Sequence, residues 1–213
     1  MKVAIIGGTG KMGIGLGTQL AKSHEVLIGS RDPAKANAAA AGIKGARGTD
    51  YTTAAKEADV AIIAIPFSAI DSVDHLAGPL SGKLVISIVN PIKLEGDRLV
   101  YGLKSGSAAE ALAKRLPRSK VATAFNNVTA GFFKSARAAE LDVLIAADSM
   151  ETFQAAAQLV RSIPGLRPLY AGPLSEAQTV ERVTPLILNL ARYNDTGSLS
   201  TKFVSQRDQK GPS

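Results

Sequence analysis

Short apolar runs recur along the chain, each closed by glycine, proline or a polar cluster. They are Lys2–Ile6, Glu25–Ile28, Asp59–Ile65 (stopped by Pro66), Lys83–Val89 (stopped by Asn90-Pro91), Lys120–Phe125 and Leu141–Ala146. Such runs lack the alternation of a half-exposed strand and predict strands buried on both faces, as in a parallel sheet. Between them the spacing predicts helices over Met12–Ser23, Ala34–Ala41, Ser107–Leu116 and Glu151–Ser162. Asp32-Pro33 marks a start, with aspartate as cap and proline at the first helical position, and Gly42 marks an end. Strands alternating with helices of this length imply right-handed βαβ units. The fold class is therefore α/β, a Rossmann-type doubly wound, mostly parallel sheet.

The later chain is smaller in scale. Leu166–Tyr170 reads as a short strand, and Ser175 with Gln178 as a capping box opening a long helix. In that helix Val180, Val183, Ile187 and Leu190 form a stripe expected to be buried, and Pro185 is expected to kink it. The expected organisation is a nucleotide-binding domain over 1–150, a small C-terminal α/β lobe over 151–204 and a disordered polar tail over 205–213.

The first strand runs into Gly8-Thr9-Gly10-Lys11-Met12-Gly13, a G-x-G-x-x-G turn that opens a helix. That context is what a dinucleotide-binding turn requires. Gly8 permits the tight turn, Gly10 lets a pyrophosphate approach the backbone, and Gly13 lets helix and strand pack closely. The helix N-terminus offers free N–H groups to the phosphates. After the second strand, where NAD-binding chains place Asp or Glu, this chain has Gly29-Ser30-Arg31. Ser30 can donate to a 2′-phosphate and Arg31 can grip it with its planar fork, which points to NADP(H). Thr9 and Lys35 add a hydroxyl and a second cation, and Asp32 is read as a helix cap facing the backbone.

Composition narrows the chemistry. There is no cysteine, which removes disulfides, thiolate catalysis and cysteine-bound metals. The two histidines, His24 and His75, are too few for a histidine-rich metal site and are read as surface or packing residues, so no metal is expected. No Tyr-x-x-x-Lys spacing occurs. The net charge of +7 is spread along the chain, and with an aromatic share of 5% no base-stacking platform is indicated, so nucleic acid is not an expected partner. No run reaches the length of a membrane span, and Lys2 leads directly into a strand rather than a leader, so a cytoplasmic setting is expected. The scarcity of acid-base groups favours hydride transfer between two cofactors, in which the protein supplies orientation and no catalytic side chain.

Four segments carry a resemblance: Ala4–Gly13, Ile28–Arg31, Ala64–Pro66 and Gly165-Leu-Arg-Pro-Leu-Tyr-Ala-Gly-Pro-Leu174, continued by Leu186–Asn194 and Gly197–Phe203. Together they resemble the NADPH-dependent coenzyme F420 reductases. The resemblance implies hydride transfer between C4 of the nicotinamide and C5 of the deazaflavin, in a cleft closed by the C-terminal lobe. Carried over by position, Thr9, Ser30, Arg31 and Lys35 hold NADP, and Ile65, Pro66 and Phe67 line the ribose-nicotinamide path. Val89, Asn90 and Pro91 meet the ring stack. Asn126, Val128, Ala130, Ser198 and Leu199 lie at the deazaflavin, although core packing is the plainer reading of Val128, Ala130 and Leu199. A homodimer is also implied.

One position departs from the pattern. Archaeal members carry histidine in the segment matching Ala124–Val128, where this chain has Asn126. The Ala-Phe-Asn form is similar to the NADPH:flavin oxidoreductase domain of the six-transmembrane metalloreductases. An NADPH-dependent FMN or FAD reductase on the same scaffold is the alternative, and a non-catalytic NADP sensor is a third.

Overall fold

The computed structural model describes residues 1–134 and 140–205. Its elements are β1 (Lys2–Ile6), α1 (Lys11–Leu20), β2 (Glu25–Ser30), α2 (Pro33–Ala41), β3 (Ala46–Asp50), α3 (Tyr51–Glu57) and β4 (Val60–Ile63). A 3-10 helix, Phe67–Leu76, leads to β5 (Leu84–Ser87), the strands β6 (Ile92–Glu95) and β7 (Arg98–Tyr101), α4 (Ala108–Arg115) and β8 (Lys120–Thr123). Then come β9 (Leu141–Ala146), α5 (Met150–Arg161), β10 (Leu166–Gly172) and α6 (Ala177–Tyr193).

Six strands form the central sheet in the order β3-β2-β1-β4-β5-β8. All neighbours in it are parallel. The chain thus winds outward from β1 in both directions, as the alternation of runs predicts, and the carboxyl ends of β1 and β4 meet at the switch point where ligands bind in such sheets. β9 and β10 pair in a parallel ribbon and β6 with β7 in an antiparallel hairpin.

The continuous apolar runs have the expected reason. Along β1, Val3 and Ile5 enter one apolar layer while Ala4 and Ile6 enter the layer on the other face. Phe153, Leu159 and Leu166 belong to the first layer, and Leu174 and Val180 to the second, so packing runs continuously across residue 150. Asp32 caps α2, its carboxylate accepting from the amides of Ala34 (2.9 Å) and Lys35 (3.4 Å).

Several expectations need correction. β3 and α3 were not foreseen: Ala-Arg-Gly-Thr-Asp is an edge strand with no apolar run, so it carries no hydrophobic signal. The β6–β7 hairpin was likewise missed. Ser175 and Gln178 form no capping box. A 3-10 turn spans Leu174–Glu176, α6 begins at Ala177, and Gln178 instead donates to the Gly106 carbonyl at 2.8 Å. α6 continues as one element through Pro185. Val180 and Ile187 are buried, whereas Leu190 is exposed. The tail beyond Ser205 lies outside the described residues. No helix among the described residues is long and apolar enough to cross a membrane.

Candidate functional site

The glycine turn is built by close contact. The amides of Gly7 and Gly8 both donate to the Gly29 carbonyl, at 3.0 and 3.2 Å, and tie the turn to β2. Gly7 has φ +81°, and a Cβ there would lie 2.6 Å from Ile65 Cγ2. A Cβ on Gly13 would lie 2.5 Å from Gly8 Cα, so α1 can sit this close to the strand end only without one. Gly10 is different. It is the N-cap of α1, has no side-chain cap, and a Cβ there meets nothing within 4 Å. The first turn of α1 therefore offers its unpaired N–H groups and positive dipole end to open space.

Two cavities meet at this turn and share Gly7, Ala64 and Ile65. The outer one, about 380 Å³, is lined also by Thr9, Ser30, Arg31, Asp32, Lys35, Tyr51 and Pro66. Ser30 is nearly buried and its hydroxyl accepts from the Asp32 amide at 3.2 Å. Arg31 and Lys35 are exposed and make no ion pair among the described residues. Two free cations beside two hydroxyls make a pocket for a dianion. Burial pushes the Tyr51 hydroxyl pKa up, against the pull of the Arg31 charge, so the phenol stays protonated and able to donate.

The inner cavity, about 400 Å³, takes Gly10, Lys11, Met12 and Gly13 from the turn, Ile88, Val89 and Asn90 from the end of β5, and Phe125–Ala130 from the segment after β8. Thr184, Ile187 and Leu188 of α6 close it. Lys11 is the single ionisable residue among those that line it. Phe125 is fully buried with φ +63°, a backbone region that a bulky residue adopts only when its surroundings enforce it. Here the enforcement is visible. Thr184 donates to the Asn126 carbonyl at 2.7 Å, the Asn90 amide donates to the same oxygen at 3.4 Å, and Asn126 Nδ2 donates to the Val89 carbonyl at 3.2 Å.

The next residues are anchored by the C-terminal segment. Asn127 donates to Thr201 Oγ1 and to the Asp142 carbonyl, both at 2.6 Å, and accepts from the Leu144 amide at 3.2 Å. The Thr129 amide donates to Ser200 Oγ at 3.3 Å. Asp142, fully buried, accepts from Arg167 Nε at 2.6 Å and from the Phe203 amide. Burial alone would raise its pKa, but Arg167 and the Phe203 N–H hold the carboxyl below its usual range. The chain after α6 is thus fastened across the back of the cavity wall.

The residues expected at the site fall into four groups. Thr9, Ser30, Arg31, Lys35 and Pro66 line the outer cavity, Ile65 lines both, and Gly10, Lys11, Met12, Gly13, Val89, Asn90, Asn126, Val128 and Ala130 line the inner one. Gly8, Phe67, Pro91, Ser198 and Leu199 line neither. Gly8 and Pro91 are buried behind the walls, and Ser198 backs Gly131, where a Cβ would lie 2.5 Å from its Oγ. Gly7, Tyr51, Ala64, Ile88, Phe125, Asn127, Thr129, Thr184, Ile187 and Leu188 were missed. Tyr51 sits on the helix that was itself missed, and the α6 residues reach the site from far along the chain. His24 is away from both cavities, its pKa lowered by burial and by the nearby amino terminus, and His75 is exposed outside them. No cluster of metal-ligating side chains occurs among the described residues.

Residues 2–91 match the family model described as "NADP oxidoreductase coenzyme F420-dependent". The chain is 36% identical to the F420-dependent NADP reductase of Methanothermobacter marburgensis, over 89% of this chain and 92% of that protein. It is 34% identical to the protein of the same name in Methanocaldococcus jannaschii, over 93% of this chain and 96% of that one. A solved structure from Arthrobacter sp. FB24, named for an F420-dependent NADP-reductase, shares the fold with a TM-score of 0.86 at 22% identity, over 96% of this chain and 100% of that one. With likeness of this extent over nearly its whole length, the chain belongs to the family of coenzyme F420-dependent NADP oxidoreductases.

Proposed function

We propose that the protein is an NADPH:coenzyme F420 oxidoreductase whose outer cavity holds the phosphorylated adenosine end of NADP(H) and whose inner cavity holds the nicotinamide and the deazaflavin face to face. The observation that carries this reading is the character of the inner cavity. Its walls are apolar side chains, amides and hydroxyls, with Lys11 as their single ionisable group. A carbonyl reductase needs a proton donor beside its substrate, whereas transfer between stacked rings needs only placement and exclusion of water.

The residues present fit both cofactors. The open N-terminus of α1 at Gly10 suits a pyrophosphate, and Arg31 and Lys35 with Ser30 and Thr9 suit a 2′-phosphate. Held there, the two cofactors would supply the hydride donor at C4 of the nicotinamide and the acceptor at C5 of the deazaflavin, with solvent supplying the proton that completes the reduced ring. The chain's own part is positional. Ile65 stands where the cavities join and Val89 borders the inner one, so these side chains limit how far a ring can slide. Ile187 and Leu188 on α6 keep water from the opposite side. Working in the cytoplasm and as a homodimer completes the proposal. The exposed face of α6, with Leu186, Leu190 and Tyr193 along one side, is where a second copy would pack.

The test is direct. Purified protein is mixed with NADPH and coenzyme F420, and separately with FMN or FAD, and NADPH absorbance is followed. Oxidation with coenzyme F420 is expected. Oxidation with the ordinary flavins alone would overturn the deazaflavin assignment, and none with any acceptor would leave a nucleotide-binding protein without this chemistry.

A further inference from the structure

Asn126 is 3% exposed, and its side-chain oxygen has no hydrogen-bond partner among the described residues. The amide cannot be turned over to remedy this. Its Nδ2 faces two acceptors, the Val89 carbonyl and Asn90 Oδ1, each at 3.2 Å. The Val89 carbonyl can only accept, so a flip would oppose two oxygens. Asn90 is fixed in the same way, because its own Nδ2 donates to the Asn126 carbonyl at 3.4 Å. From the other side Thr184 donates to that same carbonyl at 2.7 Å. One asparagine amide is therefore clamped through its nitrogen, while its oxygen stays buried and unused on a residue that lines the inner cavity.

A buried acceptor without a donor is costly, and natural chains keep one where something else supplies the donor. We propose that Asn126 is a specificity-determining residue of this site, its Oδ1 accepting a hydrogen bond from an amide or imide N–H of a ring bound in the inner cavity. This rests on the function proposed above and adds to it the chemistry that the pocket reads. A ring offering only carbonyl oxygen or N-alkyl at that edge leaves the oxygen unpaired and is rejected. Two N–H groups have this chemistry: the carboxamide of the nicotinamide and the imide of the pyrimidinedione edge of a deazaflavin or flavin.

The experiment measures binding, not turnover. Wild type is titrated with NADP+ and its 3-acetylpyridine analogue, which lacks the carboxamide N–H, and with a 5-deazaflavin and its N3-methyl derivative, which lacks the imide N–H. One analogue is expected to bind about tenfold more weakly than its parent, and which one identifies the donor. In Asn126→Leu that discrimination is expected to vanish, parent and analogue binding alike. Thr184→Val removes one of the two donors to the Asn126 carbonyl and is expected to shrink the discrimination while leaving Oδ1 in place. A merely structural role for Asn126 would lower the melting temperature of the Leu variant without changing the ratio between parent and analogue. If neither wild-type pair differs, or if the Leu variant keeps the difference, the inference is overturned. Failure of the parent deazaflavin to bind at all would instead count against the proposed function.

Discussion

The Tyr101 hydroxyl on β7 donates to the Glu181 carboxylate on α6 at 2.8 Å, and the same carboxylate accepts the amides of Ala108 and Ala109 at 2.9 and 3.0 Å. One fully buried acid thus fastens the hairpin and the first turn of α4 to the helix that closes the inner cavity. Neither neighbour could be read from the sequence, because Glu181 looks like one more charge on a helix. Truncating it leaves the Ala108 and Ala109 amides without that acceptor, each costing about 1–3 kcal/mol if it stays dry, while the Tyr101 hydroxyl keeps the Gly106 carbonyl at 3.0 Å. Allowing for water entry, Glu181→Ala is expected to lose about 2–4 kcal/mol in urea unfolding, while Tyr101→Phe loses about 1 kcal/mol.

The same group makes stability depend on pH. Burial pushes the Glu181 pKa above its usual 4.5, with the hydrogen bonds from Ala108, Tyr101 and Ala109 pulling the other way. The folded chain therefore holds that proton more tightly than the unfolded one. This contribution is complete below the ordinary carboxylate value and is lost as pH rises through the raised one. Urea midpoints of wild type and Glu181→Gln, followed upward from pH 4.5, are expected to diverge, with wild type declining relative to the variant. A gap that stays constant with pH would mean that the folded and unfolded chains bind this proton equally.

Arg31 sets cofactor choice. It stands exposed beside Ser30 and Lys35 and makes no ion pair among the described residues, so its charge is available to a ligand phosphate. Losing one charge-assisted bond of this kind corresponds to about a 10- to 150-fold weakening. Arg31→Ala is expected to raise the Kd for NADPH by that factor and to leave NADH almost unchanged. Equal losses for both nucleotides would show that Arg31 does not read the phosphate.

Gly10 and Gly13 separate ligand space from packing space. A Cβ at Gly10 meets none of the described residues within 4 Å, so Gly10→Val is expected to keep the melting temperature while NADP binding falls steeply. Alanine at Gly13 lands 2.5 Å from Gly8 Cα, so melting temperature and binding are expected to fall together. Circular dichroism melts beside nucleotide titrations distinguish the two. Full NADP affinity in the Gly10→Val protein would remove the pyrophosphate from the head of α1.

What the sequence disclosed follows from distance along the chain. The turn at Gly8–Gly13, the cap at Asp32 and the cation at Arg31 are local, each readable from a strand end and the residues just after it. The whole parallel core was legible because both faces of every central strand are apolar. β3 was not, because an edge strand packed under α2 needs no apolar run. Its Gly48 marks the place instead, since a Cβ there would lie 2.3 Å from the Asn37 amide nitrogen. Thr184, Ile187 and Leu188 reach the cavity only through the return of α6, and no periodicity says which face of that helix meets a ligand. Asn126 was legible as a departure from a family pattern, but its unused oxygen depends on Val89 and Asn90, which only the fold brings beside it.

The bare head of α1 has a practical consequence for solution work. Any small oxyanion in the buffer competes for the same backbone donors as the nucleotide. Apparent nucleotide affinities should therefore weaken when sulfate or phosphate replaces a bulky organic buffer, more steeply than matched ionic strength alone would cause. Kinetic constants gathered in different buffers then describe different competitors, not different enzymes.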